Sequence, residues 1–241
     1  LKNYDFEFDI KEYEKGWFEG IELIKKFRIE NTEYLLNKLS SEGKKILAEG
    51  AQGTMLDLDF GSYPFVTSSS TISAGAFTGL GISPKRIGEV FGIFKAYCTR
   101  VGSGPFPTEL NDTTGELIRK KGCEYGATTG RPRRCGWLDI PALKYAIMVN
   151  GVTKLFMMKS DILSGFKTVK VCTKYLVEGK QQTEILFDNN AQIDPVYTEL
   201  IGWDEDISGI KEFKSLPENL RHYIEFIEEQ TGIPVTLVSV G

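Results

Sequence analysis

Histidine is almost missing from these 241 residues: there is one, His222. No Ser-His-Asp or Cys-His pairing can be built around it, and it reads as a structural or surface residue of an amphipathic helix. Four cysteines, Cys98, Cys123, Cys135 and Cys172, form no C-x-x-C pair and have no histidine nearby. That argues against zinc and fits a reducing compartment. Neither G-x-x-x-x-G-K-[ST] nor G-x-G-x-x-G occurs, and Gly79-Leu80-Gly81 is too short to count. No paired acidic motif suggests a metal site. No apolar run is long enough to cross a bilayer, and there is no signal peptide. Repeats, low-complexity tracts and clear linkers are absent too. The net charge of -4 comes with no face-wide Lys/Arg excess, which argues against a general nucleic-acid binder. The chain opens on Leu1 rather than Met and stops at Gly241 just after an apolar run, so it reads as a fragment.

Against this acidic background one stretch is basic, Gly126-Ala127-Thr128-Thr129-Gly130-Arg131-Pro132-Arg133-Arg134-Cys135-Gly136-Trp137-Leu138-Asp139. Three arginines sit within four residues. Pro132 fixes its own φ and keeps Arg131 out of the helical region, so the arginines are expected to fan out from an extended loop. Guanidinium forks match carboxylate and phosphate oxygens two at a time. The other reading is a solvated turn with structural ion pairs.

Apolar periodicity predicts helices over 12-28, with Trp17, Ile21, Ile24 and Phe27 on one face, and from Asn31 or Thr32 to Gly43. Lys45-Ala48 reads as a short strand emptying into Glu49-Gly50-Ala51-Gln52-Gly53-Thr54 and a helix. Residues 60-83 have little periodicity, and a stretch that long without structure is usually functional or disordered. The apolar residues within it favour the functional reading. Tyr63, Phe65, Val66, Ile72 and Phe77 can anchor it. Ser83-Pro84 opens a helix through Val90, and Ile93-Val101 reads as one strand. Helices follow over 111-122 and from the Asp139 cap to Gly151. Val152-Met158 is a buried parallel strand. Val169-Val177 and Thr183-Phe187 form a hairpin across Glu178-Gly179-Lys180. A helix over Pro217-Gln230 and a strand over Ile233-Val238 complete the chain.

The implied class is α/β: a mostly parallel central sheet flanked by helices, with an antiparallel hairpin addition, as one domain over 1-241. Ligands bind such sheets at the carboxyl ends of the strands. The turns after Ala48, Val101, Met158 and Val238 are placed there. Lys159-Ser160-Asp161 suits guanine, because a carboxylate accepts both N1-H and the exocyclic amine while the lysine stem covers the base. A surface Lys-x-Asp is the plainer reading. Gln52 can donate and accept at a purine edge or a phosphoryl oxygen, or serve as a turn residue. Thr67 to Ser70 offer hydroxyls and N-H groups to a phosphate, or form a polar loop.

Four segments in order resemble the adenylosuccinate synthetase family: Glu49 to Asp57, Tyr63 to Ser69, Thr99 to Leu110, and Gly126 to Asp139. The similarity runs from about Lys44 to Gly241. It implies a homodimeric, cytoplasmic ligase with a P-loop-like α/β fold that joins IMP to L-aspartate, driven by GTP and Mg²⁺, on the way to AMP. GTP phosphorylates the 6-oxygen of IMP, and the aspartate amine then displaces phosphate. Carried over by position, Gln52 holds the purine 6-oxygen and is the catalytic residue. Thr67 binds the IMP 5′-phosphate and Val101 the ribose. Thr128, Thr129, Gly130, Arg131 and Arg133 form the aspartate loop, with Arg131 also reaching the ribose and Arg133 the GTP side. Lys159, Ser160 and Asp161 read guanine, helped by Ser239, Val240 and Gly241.

Two departures stand out. Pro132 replaces a basic residue of some members and would stiffen the loop. The family's N-terminal phosphate loop, with its catalytic Asp, its Mg²⁺ ligands and a catalytic His, has no counterpart here. The resemblance therefore implies the C-terminal part of the enzyme, inactive alone. The alternative is a truncated, non-catalytic purine-nucleotide-binding module.

Overall fold

In the computed structural model, which describes residues 9–187 and 191–241, the chain divides into two compact units. One is drawn from the chain up to Leu47 together with Leu80–Ile82. It contains α1 (Ile10–Ile24) and α2 (Thr32–Ser41). Asp9 caps α1 by accepting from the Lys11 N–H at 2.9 Å. Neither helix buries a residue, and the α1 face expected to pack is open, with Trp17 and Ile24 exposed.

The second unit holds everything else. Its elements are α3 (Ala74–Leu80, reaching into the boundary), β1 (Phe91–Lys95), β2 (Cys98–Arg100), α4 (Thr113–Lys121), β3 (Arg134–Gly136) and β4 (Leu138–Asp139). Then come α5 (Ile140–Asn150), β5 (Lys154–Met158), β6 (Thr168–Val177), β7 (Lys180–Gln182), β8 (Ile193–Ile201), α6 (Glu218–Thr231) and β9 (Val235–Val238). β1, β5 and β9 form a parallel sheet with β5 in the middle. β5 is the apolar run of the sequence, and Leu155 and Met157 are buried. A second sheet places β6 between parallel β4 and antiparallel β8, with β7 folding back as a hairpin. β2 and β3 make a small antiparallel pair. The core joins Tyr97, Ile118, Trp137, Met157, Leu163, Trp203, Leu220, Tyr223 and Ile227. Burying a side chain of this kind contributes roughly 1.5–3 kcal/mol.

Several local expectations change. Lys45–Ala48 forms no strand, and the segment after Gly53 is a single 3₁₀ turn, Thr54–Leu56. Ser83 does cap the next turn, but that turn stops at Arg86. The strand expected over Ile93–Val101 breaks at Ala96–Tyr97 into β1 and β2, which belong to different sheets. The hairpin returns through Lys180–Gln182 rather than Thr183–Phe187. β8 carries Pro195 and Asp194, both poor strand signals, yet it is the long antiparallel partner of β6. Within 60–83 a short helix, α3, is present, and Ile72 is buried while Tyr63 is exposed.

Candidate functional site

Three turns leave the carboxyl ends of β1, β5 and β9. The middle one is Lys159-Ser160-Asp161. The Ser160 N–H and hydroxyl both donate to the Ser239 carbonyl, and the Ser239 N–H donates to Met157 O at 2.8 Å. The two segments expected to read guanine are thus hydrogen-bonded neighbours. Val240 packs against the core and Gly241 is exposed.

The loop after residue 50 is built by a buried aspartate. Asp57 accepts from the N–H groups of Asp59 and Phe60 on one oxygen and of Thr71 and Ile72 on the other, at 2.6–3.1 Å. Burial pushes its pKa up, but these four backbone donors outweigh it and hold the carboxyl below its ordinary range. The folded loop brings Gln52 and Thr67 together: the Gln52 amide donates to Thr67 Oγ1 at 3.1 Å. Asn150 of α5 clamps the loop from behind, bonding Thr54 Oγ1 and the Ser73 N–H.

Arg100 carries the connection onward. Its Nη2 donates to Ser62 Oγ at 2.9 Å and to the Phe65 carbonyl at 3.2 Å. Gly104, at φ 112, lies so close that any Cβ there would collide with the Arg100 guanidinium. Opposite Arg100 in the ladder stands Arg134. Its guanidinium grips Glu109 with two nitrogens and also donates to Gly104 O at 2.9 Å. Val101, expected at the ribose, is exposed just past β2.

Glu124 sits behind the arginine loop, fully buried. It accepts from Lys95 Nζ at 2.7 Å, Tyr97 OH at 2.7 Å and Lys159 Nζ at 3.1 Å on one oxygen, and from Arg133 Nη1 at 2.8 Å on the other. Burial raises its pKa, yet the bonds from Lys95, Tyr97 and Arg133 prevail and bring it down to about 2. Lys95 is shifted down, by burial first and by the neighbouring Lys159 and Arg133 charges after that. Burial and the Glu124 charge push the Tyr97 hydroxyl up.

The three loop arginines therefore do not fan out alike. Arg134 is committed to Glu109 and Arg133 to Glu124, as structural ion pairs would have it. Arg131 is exposed, and its guanidinium has no hydrogen bond or ion pair among the described residues. The Asp161 carboxylate likewise has neither. Thr128, Thr129 and Gly130 are exposed on the loop tip, where Thr129 Oγ1 accepts from the Arg131 N–H and Gly130 turns at φ 62.

Four non-glycine residues among those described hold a positive φ: Gln52, Cys123, Lys159 and Glu178. Two are candidate site residues, and Cys123 leads into Glu124. Each such conformation costs of order 1–3 kcal/mol and clusters where the backbone must aim a group. Neither of two cavities, about 560 Å³ beside Phe18 and Leu23 and about 340 Å³ bounded by Phe166, Trp203 and Asn219, includes a candidate site residue. Hydrogen bonds join the neighbourhood in separate groups: Gln52 with Thr67, Arg134 with Glu109, Arg133 and Lys159 with Glu124, and Ser160 with Ser239, while Arg100 bonds Ser62 and Phe65 and stands opposite Arg134 in the ladder. Sequence reasoning gave no role to Asp57, Glu109 or Glu124. The signal available for the last was a lone carboxylate seven residues before a run of arginines.

Similarity to known proteins covers the whole chain. The family model for adenylosuccinate synthetase matches residues 1–241. Adenylosuccinate synthetases of Bacteroides fragilis and Phocaeicola vulgatus are 56% and 57% identical over 241 residues, all of this chain and 57% of each relative. The chain thus spans somewhat over half the length of these relatives. The structure of fully ligated adenylosuccinate synthetase from Plasmodium falciparum superposes with a TM-score of 0.90 at 42% identity, over 98% of this chain and 57% of that one. This chain belongs to the adenylosuccinate synthetase family.

Proposed function

We propose that this chain is the C-terminal portion of a ligase that joins L-aspartate to IMP with GTP as the energy source, giving adenylosuccinate. What supports the reading is the distribution of free and committed groups. Arg131 and Asp161 are the charged candidate residues left without an ion pair, while the neighbouring Arg133 and Lys159 are committed to Glu124.

The chain's own contribution is recognition and positioning. Arg131 offers a two-pronged fork to an aspartate carboxylate, from a loop stiffened by Pro132. Thr128, Thr129 and Gly130 supply donors beside it. Gln52 presents its amide to the purine 6-oxygen and, after phosphoryl transfer, to the phosphorylated oxygen. Negative charge that develops there meets a fixed donor rather than reorienting water. Thr67 stands next to it to bind the 5′-phosphate, and Val101 lines the ribose. Asp161 accepts N1-H and the amine of guanine, Lys159 lies along the base, and Ser239 to Gly241 close the other side. The aspartate amine then attacks C6 and phosphate leaves with the 6-oxygen.

Among the described residues no group of three or more His, Cys, Asp or Glu side chains could hold a metal ion. In this reading the Mg²⁺ ligands, the phosphate loop and the catalytic Asp and His come from elsewhere in the polypeptide, and these 241 residues alone do not turn over. The protein works as a cytoplasmic homodimer. No helix described is long and apolar enough to cross a membrane.

The test is conversion of IMP by the full-length protein. Adenylosuccinate must form only when aspartate and GTP are both present, and its absence under those conditions overturns the reading. Asp161→Asn sharpens it: GTP should lose more affinity than ITP, which lacks the exocyclic amine. Equal losses would show that the amine is not read.

A further inference from the structure

Glu124 belongs to none of the candidate binding residues, yet it touches both groups of them. Three cations meet this one buried carboxylate: Lys95 from the end of β1, Lys159 from the tip after β5, and Arg133 from the arginine loop. The arrangement is more than side-chain pairing. The Arg133 N–H donates to the Glu124 carbonyl at 2.9 Å, and Lys159 Nζ also donates to the Gly122 carbonyl. The residue pair 122–124 is therefore pinned to both elements at once. Arg119 of α4 fixes the same corner by donating to the Arg133 carbonyl at 2.8 Å. Tyr97 completes the carboxylate shell.

The electrostatics make the arrangement conditional. Three positive groups within hydrogen-bond reach of each other's partner repel, and a single negative charge holds them. Arg133 Nε is buried without a partner, so its guanidinium is held by Nη1 alone. Lys159 holds a left-handed backbone at φ 60 that aims the following Ser160-Asp161 pair. Removing the Glu124 charge would release Arg133 and Lys159 together, leaving like charges to move apart.

We propose that Glu124 is a positioning residue that couples the aspartate-binding arginine loop to the guanine-reading tip, so that the two substrates are held by one shared counter-ion. This rests on the ligase reading above. It adds that the two subsites are energetically linked through a residue that touches neither substrate.

The experiment is steady-state kinetics of the full-length protein carrying Glu124→Gln, which keeps the shape and removes the charge. The Michaelis constants for aspartate and GTP should rise together by about tenfold or more, and by more than that for IMP, which the loop meets only through Arg131. A merely structural role would instead lower the amount of active enzyme and leave all three constants where they were; that result, or a rise confined to one substrate, overturns the coupling. Lys159→Met decides the matter if the glutamine variant does not fold. Lys159 sits on the guanine side and meets the arginine loop through Glu124, so the aspartate constant should rise about threefold or more. An unchanged aspartate constant would contradict the coupling. A wild-type enzyme that fails to convert IMP at all would refute the ligase reading first, which keeps the two failures apart.

Discussion

Two buried carboxylates in the same unit have opposite fates. Glu124 lies behind the arginine loop, under three cations, and is pulled down to about 2 although burial alone would raise it. Asp139 lies where β4 runs into α5, at 4% exposure, with no cation bonded to it. Its Oδ1 caps the Ala142 N–H at 3.0 Å, and both oxygens meet the Tyr175 hydroxyl at 2.7–2.8 Å. Those neutral donors do not overcome burial, and Asp139 is pushed up to about 6. Burial sets the penalty in each place, and the charge of the partners decides which side wins. One region uses a carboxylate to gather three cations. The other uses one as a helix cap and tolerates its protonation.

The largest change should come from Glu124→Ala, which leaves three cations facing each other without their anion. Losing one partner of a buried pair typically costs ~3–5 kcal/mol. Denaturant unfolding checks it, and a loss under about 1 kcal/mol would mean the cluster is solvated. Next is the pH dependence at Asp139. Its folded pKa lies above the ordinary 3.8, so its stabilising contribution is full below about pH 4 and is withdrawn as pH rises through about 6. The amount withdrawn is ~3 kcal/mol. Asp139→Asn should abolish that slope, as read from unfolding between pH 4 and 7. Glu124 has the opposite sign: its contribution is present above pH 4.5 and lost as pH falls toward 2. Identical slopes for the two variants would break the comparison. Smaller still is Arg134→Lys, which swaps a two-pronged grip on Glu109 for a point charge and should cost about 1–2 kcal/mol by thermal melting. Smallest in stability is Arg131→Leu, within about 0.5 kcal/mol, because the side chain is exposed and unpaired.

Much of this was legible in the chain itself. The apolar β5 run, the Asp139 cap and the αL glycine at 151 are local signals, and each stands where its chemistry put it. The place of the Lys159-Ser160-Asp161 turn, at the carboxyl end of a buried parallel strand, was legible from the apolar run before it. What was not legible is long-range. Arg131, Arg133 and Arg134 look alike in sequence. They differ because Glu124 and Glu109 reach two of them from 9 and 25 residues away. The break at Ala96–Tyr97 was hidden for the same reason: Tyr97 turns inward to Glu124, 27 residues on. β8 was missed because pairing with β6 overrides the poor propensity of its Asp-Pro start.

The measurement that bears most directly on the sorting of the arginines is a paired assay of Arg131→Leu in the full-length protein, combining aspartate kinetics with a thermal melt. The account predicts an aspartate Michaelis constant raised by about tenfold or more, or turnover abolished, with the melting temperature essentially unmoved. An unchanged constant, or a melt that collapses with it, would contradict the division into one unpaired arginine and two held by glutamates, Glu124 buried and Glu109 half-buried.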